Sequence, residues 1–366
     1  MAEWQGPLES LVVNSSFWKG RQVFVTGHTG FKGGWLCLWL KKLGAEVTGY
    51  ALEPATNPSL FTAAHVSDGM HSIIGDVRDR DGLARAMSEA KPEVVIHMAA
   101  QALVRYSYHH PVETYEVNVM GTVYLLEAVR SCDSVRSVLI VTSDKCYENR
   151  EREAGYCEDE AMGGFDPYSN SKGCAELVVS AYRQSFFAAD QQVAVATARA
   201  GNVIGGGDWS KDRLIPDMVR AFTVGESVCI RNPDAVRPWQ HVFEALHGYL
   251  LLLEKMEEGG QCFAQAWNFG SEDVDARDVA WIVKHFVAGW GDADWSIDRD
   301  AEKPHEAHTL RLNCSKARRE LNWRPVIDLE LALKWITVWY RGYYDEGDVV
   351  LLSQQQLEEF QKMVAT

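Results

Sequence analysis

The chain has 366 residues, 46% hydrophobic and 24% charged, with a net charge of −15 and a pI near 5.2. That length exceeds one simple core and suits one large domain or two fused ones. An acidic surface without a Lys/Arg run offers a nucleic-acid backbone nothing to hold, and the apolar stretches fall short of the ~20 residues that cross a bilayer, so neither nucleic acid nor a membrane is an expected partner.

Taken in order, apolar runs and helical patterns alternate through the first half, as a parallel sheet covered on both faces requires. Gln22 to Thr26 reads as a strand, and Gly33 to Leu43 as the helix after it. Between them lies Thr26-Gly27-His28-Thr29-Gly30-Phe31-Lys32-Gly33-Gly34, a G-x-x-G-x-x-G turn. Glycines let such a turn close tightly against a pyrophosphate at a helix N-terminus, so this context predicts dinucleotide binding. Lys32 reads equally as a cation near the phosphates or as an exposed side chain. Glu46 to Ala51 is the second strand, and it ends at Ala51-Leu52-Glu53. A carboxylate near that end, with no arginine, favours NAD over NADP. His71 to Gly75 is the third strand, and Asp76-Val77 after it is placed to meet the adenine, with a turn or helix-capping Asp76 as the plain alternative.

Asp81 to Ala90 reads as a helix, Glu93 to Met98 as the fourth strand, Asn118 to Ser131 as a long helix, and Ser137 to Val141 as the fifth strand. That strand runs into Thr142-Ser143-Asp144-Lys145, which collects a hydroxyl, a carboxylate and an amine. A helix from Pro167 to about Phe187 carries Tyr168 and Lys172 four residues apart, on one face. A cation beside a phenol lowers its pKa and makes a usable base. The added acid and amine point past simple redox chemistry to a proton drawn from carbon and a hydroxyl expelled. The plain alternatives are a turn-forming Asp144 and an ion pair between Asp144 and Lys145.

Val193 to Ala198 completes the first lobe. After Arg199 the pattern changes: Gly201 to Gly207 is glycine-rich, and short strands mix with helices at His241 to Met256, Asp278 to Val287 and Leu329 to Tyr340. Leu351 to Met363 reads as a Gln/Glu-rich surface helix. The expected fold is α/β, a Rossmann-type doubly wound parallel sheet with a smaller mixed α/β C-terminal substrate lobe. The division expected is 1–199 with about 237–262 for the dinucleotide lobe, and 200–236 with 263–366 for the substrate lobe. Trp209 and Trp239 are better placed in the core than against a ligand.

The eight cysteines, at 37, 132, 146, 157, 174, 229, 262 and 314, form no C-x-x-C pair and no Cys/His cluster. They read as reduced thiols in a reducing compartment, without disulfides or a metal site. Cys146, beside Lys145, is expected to be a packed thiol rather than a reactive one. The N-terminus carries Glu3 and Glu9 and no basic-then-apolar leader pattern, and the expected location is cytoplasmic.

Several motifs stand together: the glycine loop, Ala99-Ala100-Gln101 after the fourth strand, Asn118, Tyr168 and Lys172, Arg199 to Gly205, and Arg237 with His241-Val242. In this order they resemble the extended short-chain dehydrogenase/reductases that modify nucleotide sugars. Epimerases of that family share the Tyr and Lys but have no acid–base pair after the Ser or Thr. Nucleotide-sugar 4,6-dehydratases have one, usually Asp-Glu. Asp144-Lys145, with Cys146 to Asn149 and the H-T-G-F-K-G-G-W loop, resembles the branch acting on CDP-glucose.

The resemblance implies bound NAD, held by Gly27, His28, Thr29, Gly30, Phe31, Lys32, Gly33, Asp76, Val77, Ala99, Ala100, Gln101, Asn118, Tyr168 and Lys172. It implies CDP-glucose as substrate, with Asn202, Arg213, Arg237, His305 and Glu306 as its contacts, and a homodimer or homotetramer built on the helices of Asn118 and Tyr168. In the implied chemistry Tyr168, ionised with help from Lys172, takes the proton of the sugar 4-hydroxyl while Ser143 holds that oxygen. Lys145 takes the proton from carbon 5, and a protonated Asp144 gives one to the departing 6-hydroxyl. A related nucleotide sugar, a 4-epimerase, or a non-catalytic NAD sensor remains the alternative.

Overall fold

Strands whose two faces both meet apolar neighbours form the frame of the molecule. In the computed structural model, which describes residues 12–188, 193–271, 275–297 and 310–366, Gln22–Thr26 (β1) sends Val23 and Val25 into one hydrophobic cluster and Phe24 into another. The alternation is the two-residue period of a strand buried on both sides. The strand Ser137–Val141 (here β5) repeats it, with Leu139 and Val141 on one side and Val138 and Ile140 on the other.

The other strands of the frame are Glu46–Ala51 (β2), His71–Ile74 (β3), Val94–His97 (β4) and Ala194–Arg199 (β6). A seventh, Ala266–Asn268, pairs parallel with β6. All seven are parallel in the order Ala266–Asn268, β6, β5, β4, β1, β2, β3. The order reverses between β1 and β4, paired through Val23 and Val94, and a crevice opens at such a switch point beyond the strand ends. This is the Rossmann-type sheet expected from the sequence. Ala266–Asn268 departs from the expected division, because a segment assigned to the second lobe completes the main sheet.

Helices cover both faces. Phe31–Lys42 and Val242–Gly259 lie on one, where the second buries fourteen of its residues from Val242 to Met256. A helix apolar nearly all round must be enclosed, and this one is. Arg80–Ala90, Gly121–Arg130 and Pro167–Tyr182 lie on the other face. The helix expected from Asn118 begins earlier: Pro111–Tyr115 is already helical and passes through a π-turn at Glu116–Met120. Val349–Val364 is a correction to the expected surface helix. Its Leu357, Phe360 and Val364 are buried, and Phe360 packs edge-on against Trp39 with ring centroids 5.5 Å apart.

Candidate active site

The glycine turn is dictated by close approaches that no side chain fits. Gly27 has φ +79°, and a Cβ there would lie 2.7 Å from the Ala99 amide nitrogen. A Cβ on Gly33 would lie 2.8 Å from the Gly27 carbonyl carbon and nearer still to its oxygen. The turn therefore lies flat against the β4 loop and delivers the N-terminus of Phe31–Lys42, with Gly30 as its cap, to the crevice. Backbone N–H groups so exposed, with the helix dipole behind them, make an anion site.

Gly27, Thr29 to Gly33, Ala51 to Glu53, Asp76, Val77, Ala99 and Ala100 line one end of a cleft of about 660 Å³. The Thr29 hydroxyl is turned to the Leu52 carbonyl at 2.8 Å. Asp76 binds Arg78 through both oxygens, with Nη2 to Oδ2 at 2.6 Å, and that guanidinium holds its carboxyl below the usual range. Asp79, not Asp76, caps the following helix.

Further along the same cleft lie Thr142 to Lys145, Tyr168 and Lys172. One buried carboxylate fixes this end. Glu176, one turn beyond Lys172 on the same helix, accepts from the Thr142 hydroxyl of the β5 end, from Thr197 of β6 at 2.8 Å, and from Arg199 at 2.8 Å. The helix bearing Tyr168 and the strand bearing Ser143 are thus locked together. Ser143 caps the short turn Asp144–Cys146, taking the Lys145 amide at 3.2 Å and donating to Asp144 Oδ1 at 2.9 Å. Asp144 is buried, and a Cβ on Gly201 would lie 2.5 Å from its Oδ1 and closer to Oδ2, so the glycine makes room for the carboxylate.

Lys172 Nζ reaches the Val141 carbonyl at 3.3 Å, and burial lowers its pKa to about 8. Burial acts oppositely on Tyr168, pushing the phenol up to about 12 against the opposing pull of hydrogen bonding to Ser143 and of the Arg213 charge. Desolvation is the largest influence on the phenol and outweighs the Arg213 charge. Cys146 is buried and raised well above the ordinary thiol range, an inert packed group.

Other side chains named from the sequence hold neighbouring elements together. The His28 ring is buried with Nε2 2.7 Å from the Ser72 hydroxyl, over Gly49 of β2. Gln101 and Asn118 hold each other: Asn118 Oδ1 accepts the Gln101 amide at 2.9 Å and its Nδ2 donates to Ser171 at 2.9 Å, pinning the β4 loop to the Tyr168 helix. Lys32 borders the cleft beside the glycine turn. Half-buried there, it donates to Tyr249 on Val242–Gly259 at 2.9 Å, and desolvation with the Lys172 and Arg213 charges lowers it to about 7.

Asn202, Arg213 and Arg237 also line the cleft, with Arg213 3.3 Å from Asp208. His305 and Glu306 lie outside the described residues. Trp209 and Trp239 are buried, as expected, although Trp239 also borders the cleft. The sequence reading missed Asp212, which sits 3.5 Å from Arg105 and 3.6 Å from Arg231 at the cleft wall.

A glycine-cradled anion site and a Ser/Asp/Lys/Tyr/Lys set on one cleft agree with the comparisons to known proteins. Residues 24–335 match the family described as GDP-mannose 4,6 dehydratase. The chain belongs to that family. It is 52% identical over 354 residues to the CDP-glucose 4,6-dehydratase of Salmonella typhimurium, covering 95% of this chain and 98% of the relative. Two solved structures share this chain's fold. The UDP-glucose 4-epimerase of Thermus thermophilus, in complex with NAD, superposes with a TM-score of 0.76 at 24% identity over 87% of this chain and 99% of its own. The dTDP-glucose 4,6-dehydratase of Streptomyces venezuelae, with NAD and TYD bound, gives 0.74 at 24% identity over 90% and 99%.

Proposed function

We propose that this chain is an NAD-dependent CDP-glucose 4,6-dehydratase, a hydro-lyase converting CDP-glucose to CDP-4-keto-6-deoxyglucose and water. One observation carries the reading: Ser143, Asp144, Lys145, Tyr168 and Lys172 open on the same cleft as the glycine turn. The 52% identity to a CDP-glucose 4,6-dehydratase supports the choice of sugar nucleotide.

The residues fit a dinucleotide, since the turn at Gly27 and Gly33 leaves space that a Cβ would fill. Glu53 and Asp76 at the β2 and β3 ends of the cleft favour NAD by opposing a 2′-phosphate. Bound there, NAD would supply the acceptor for the hydride of carbon 4 and its return to carbon 6. Tyr168 and Ser143 handle the 4-hydroxyl proton, and Lys172 supports the ribose and the phenol. The ketone acidifies carbon 5, where Lys145 is the base, while Asp144 protonates the departing 6-hydroxyl. Asn202, Arg213 and Arg237 hold the diphosphate, a planar guanidinium suiting its oxygens. His305 and Glu306 are proposed for the ribose on sequence grounds alone.

We also place the subunit in a homodimer. Met120, Leu177 and Phe186 are exposed apolar side chains on the helical segments that contain Asn118 and Tyr168, a concentration that suits a second copy. All eight cysteines are unpaired, which supports a cytoplasmic location, and no helix among the described residues is long and apolar enough to cross a membrane.

Incubation with NAD and CDP-glucose, UDP-glucose or dTDP-glucose, followed by detection of the 4-keto product in base, tests the assignment. CDP-glucose should give product fastest. Equal turnover of the three would remove the nucleotide assignment, and no product from any would leave an NAD-binding protein without this activity.

A further inference from the structure

The elimination proposed above makes a molecule of water at carbon 6, and that same carbon must then receive a hydride. Water left against the new double bond, beside a carboxylate, is placed to add back, because addition is the elimination run in reverse. Closed sites guard against such side reactions by keeping water away from reactive carbons. With a sugar nucleotide and NAD both in the cleft of about 660 Å³, the expelled water needs somewhere else to go.

A second and much smaller cavity, of about 10 Å³, also borders Asp144. It shares Asp144 and Gly201 with the cleft, which makes these two residues the wall between them. Gly201 puts no side chain into that wall. The rest of the lining includes Gly270, Ser271, Ala276 and Arg311. The volume is about what one water molecule occupies, and a buried water also wants about two to four polar partners.

The lining offers partners of different kinds. Asp144 accepts, and its carboxylate has lone pairs to spare after taking the Ser143 hydroxyl at 2.9 Å. Arg311 donates. Ser271 can do either, and its hydroxyl is buried without a hydrogen-bond partner among the described residues. An acceptor, a donor and a hydroxyl around one small space suit a molecule that both gives and takes hydrogen bonds.

We propose that this cavity is the receiving site for the water expelled from carbon 6. The inference rests on the dehydratase reading and on Asp144 as the acid of the elimination. In that step the carbon-5 proton passes to Lys145 and its electron pair forms the double bond between carbons 5 and 6. The bond from carbon 6 to oxygen breaks, and the oxygen takes the Asp144 proton and leaves as water. Formed in contact with Asp144, the water passes along the same carboxylate into the cavity, where Ser271 and Arg311 hold it. Carbon 6 is then clear for the hydride, and the wall of Asp144 and Gly201 stands between the double bond and the water that would add to it.

Rapid mixing of NAD-loaded enzyme with CDP-glucose separates the two halves of the cycle, because NADH appears on oxidation and disappears when the hydride returns. Ala276 begins a short strand, opposite Pro238, where a β-branched side chain is well tolerated. Ala276→Val, which fills the cavity, should form NADH at the wild-type rate and consume it about tenfold more slowly, as expected when a water is denied its hydrogen-bonded site. Ser271→Ala keeps the space and removes one partner, and should slow the same phase about threefold. In a folded Ala276→Val protein, an unchanged second phase or equal slowing of both phases would overturn the proposal. A second readout needs neither variant nor turnover: a crystal structure of the enzyme with NAD should show one ordered water within hydrogen-bond distance of Asp144 and Ser271, and a dry cavity would overturn the assignment. A wild-type enzyme that forms neither NADH nor 4-keto product would instead refute the dehydratase reading itself.

Discussion

Replacing Gly201 by alanine probes the fit of the Asp144 carboxylate, proposed as the acid of the elimination, with a single methyl group. Gly201 does not occupy the left-handed region, so its backbone accepts alanine without strain. The new Cβ would lie 2.5 Å from Asp144 Oδ1 and closer to Oδ2, about 1 Å inside ordinary contact at ~3.5 Å. Asp144 is 3% exposed and has little room to retreat. Overpacking of this kind costs about 1–3 kcal/mol, and the carboxyl must turn away from Ser143. A displacement near 1 Å in a reacting group lowers rate by about 10²-fold. Activity should therefore fall by about two orders of magnitude in a protein that still folds. Thermal unfolding and the 4-keto product assay, run on one preparation, separate the two effects. Unchanged turnover with unchanged stability would show that Asp144 is not confined as described.

Glu176→Gln should destabilise by about 3–5 kcal/mol, since it leaves the buried Arg199 charge without its counter-ion; denaturant titration measures it, and a loss below about 1 kcal/mol would contradict the locking role. Gly33→Ala should abolish NAD binding by calorimetry, because the Cβ would meet the Gly27 peptide; retained affinity would place the pyrophosphate elsewhere. Burial raises Glu254 to about 7, where it accepts from Trp18 at 2.7 Å and Asn14 at 2.9 Å. The folded state thus keeps a proton that the unfolded state loses near 4.5, and stability should fall as pH rises from about 4.5 to 7, by up to about 3 kcal/mol. Glu254→Gln should flatten that slope, and an unaltered slope would assign it to other groups.

What could be read in advance was what is local. The apolar strand runs, the glycine spacing and the four-residue step from Tyr168 to Lys172 each follow from neighbouring residues, and the structure gathers them on one cleft. What the sequence leaves open is settled where distant elements meet. Lys32 lies in the glycine turn by sequence, and its hydrogen bond to Tyr249, more than two hundred positions on, could not be read from its neighbours. The His28 ring turns to β2 because Gly49 leaves it space. Asp212 carried no pattern that would have paired it with Arg105 and Arg231. The C-terminal helix did carry a stripe, Leu357, Phe360 and Val364, hidden among Gln and Glu residues.

The order of the sheet has a consequence for how the chain emerges during synthesis. β6 ends at Arg199, but the strand that covers its outer side begins only at Ala266. Until then β6, mostly alanine and valine, is an edge open to other nascent chains, the kind of edge that seeds aggregation. The intervening segment carries Asn202, Arg213 and Arg237. A ribosome stalled early within it would therefore release a chain lacking both its protective strand and most of the side chains proposed here to hold the diphosphate, so edge closure and site completion come late and together.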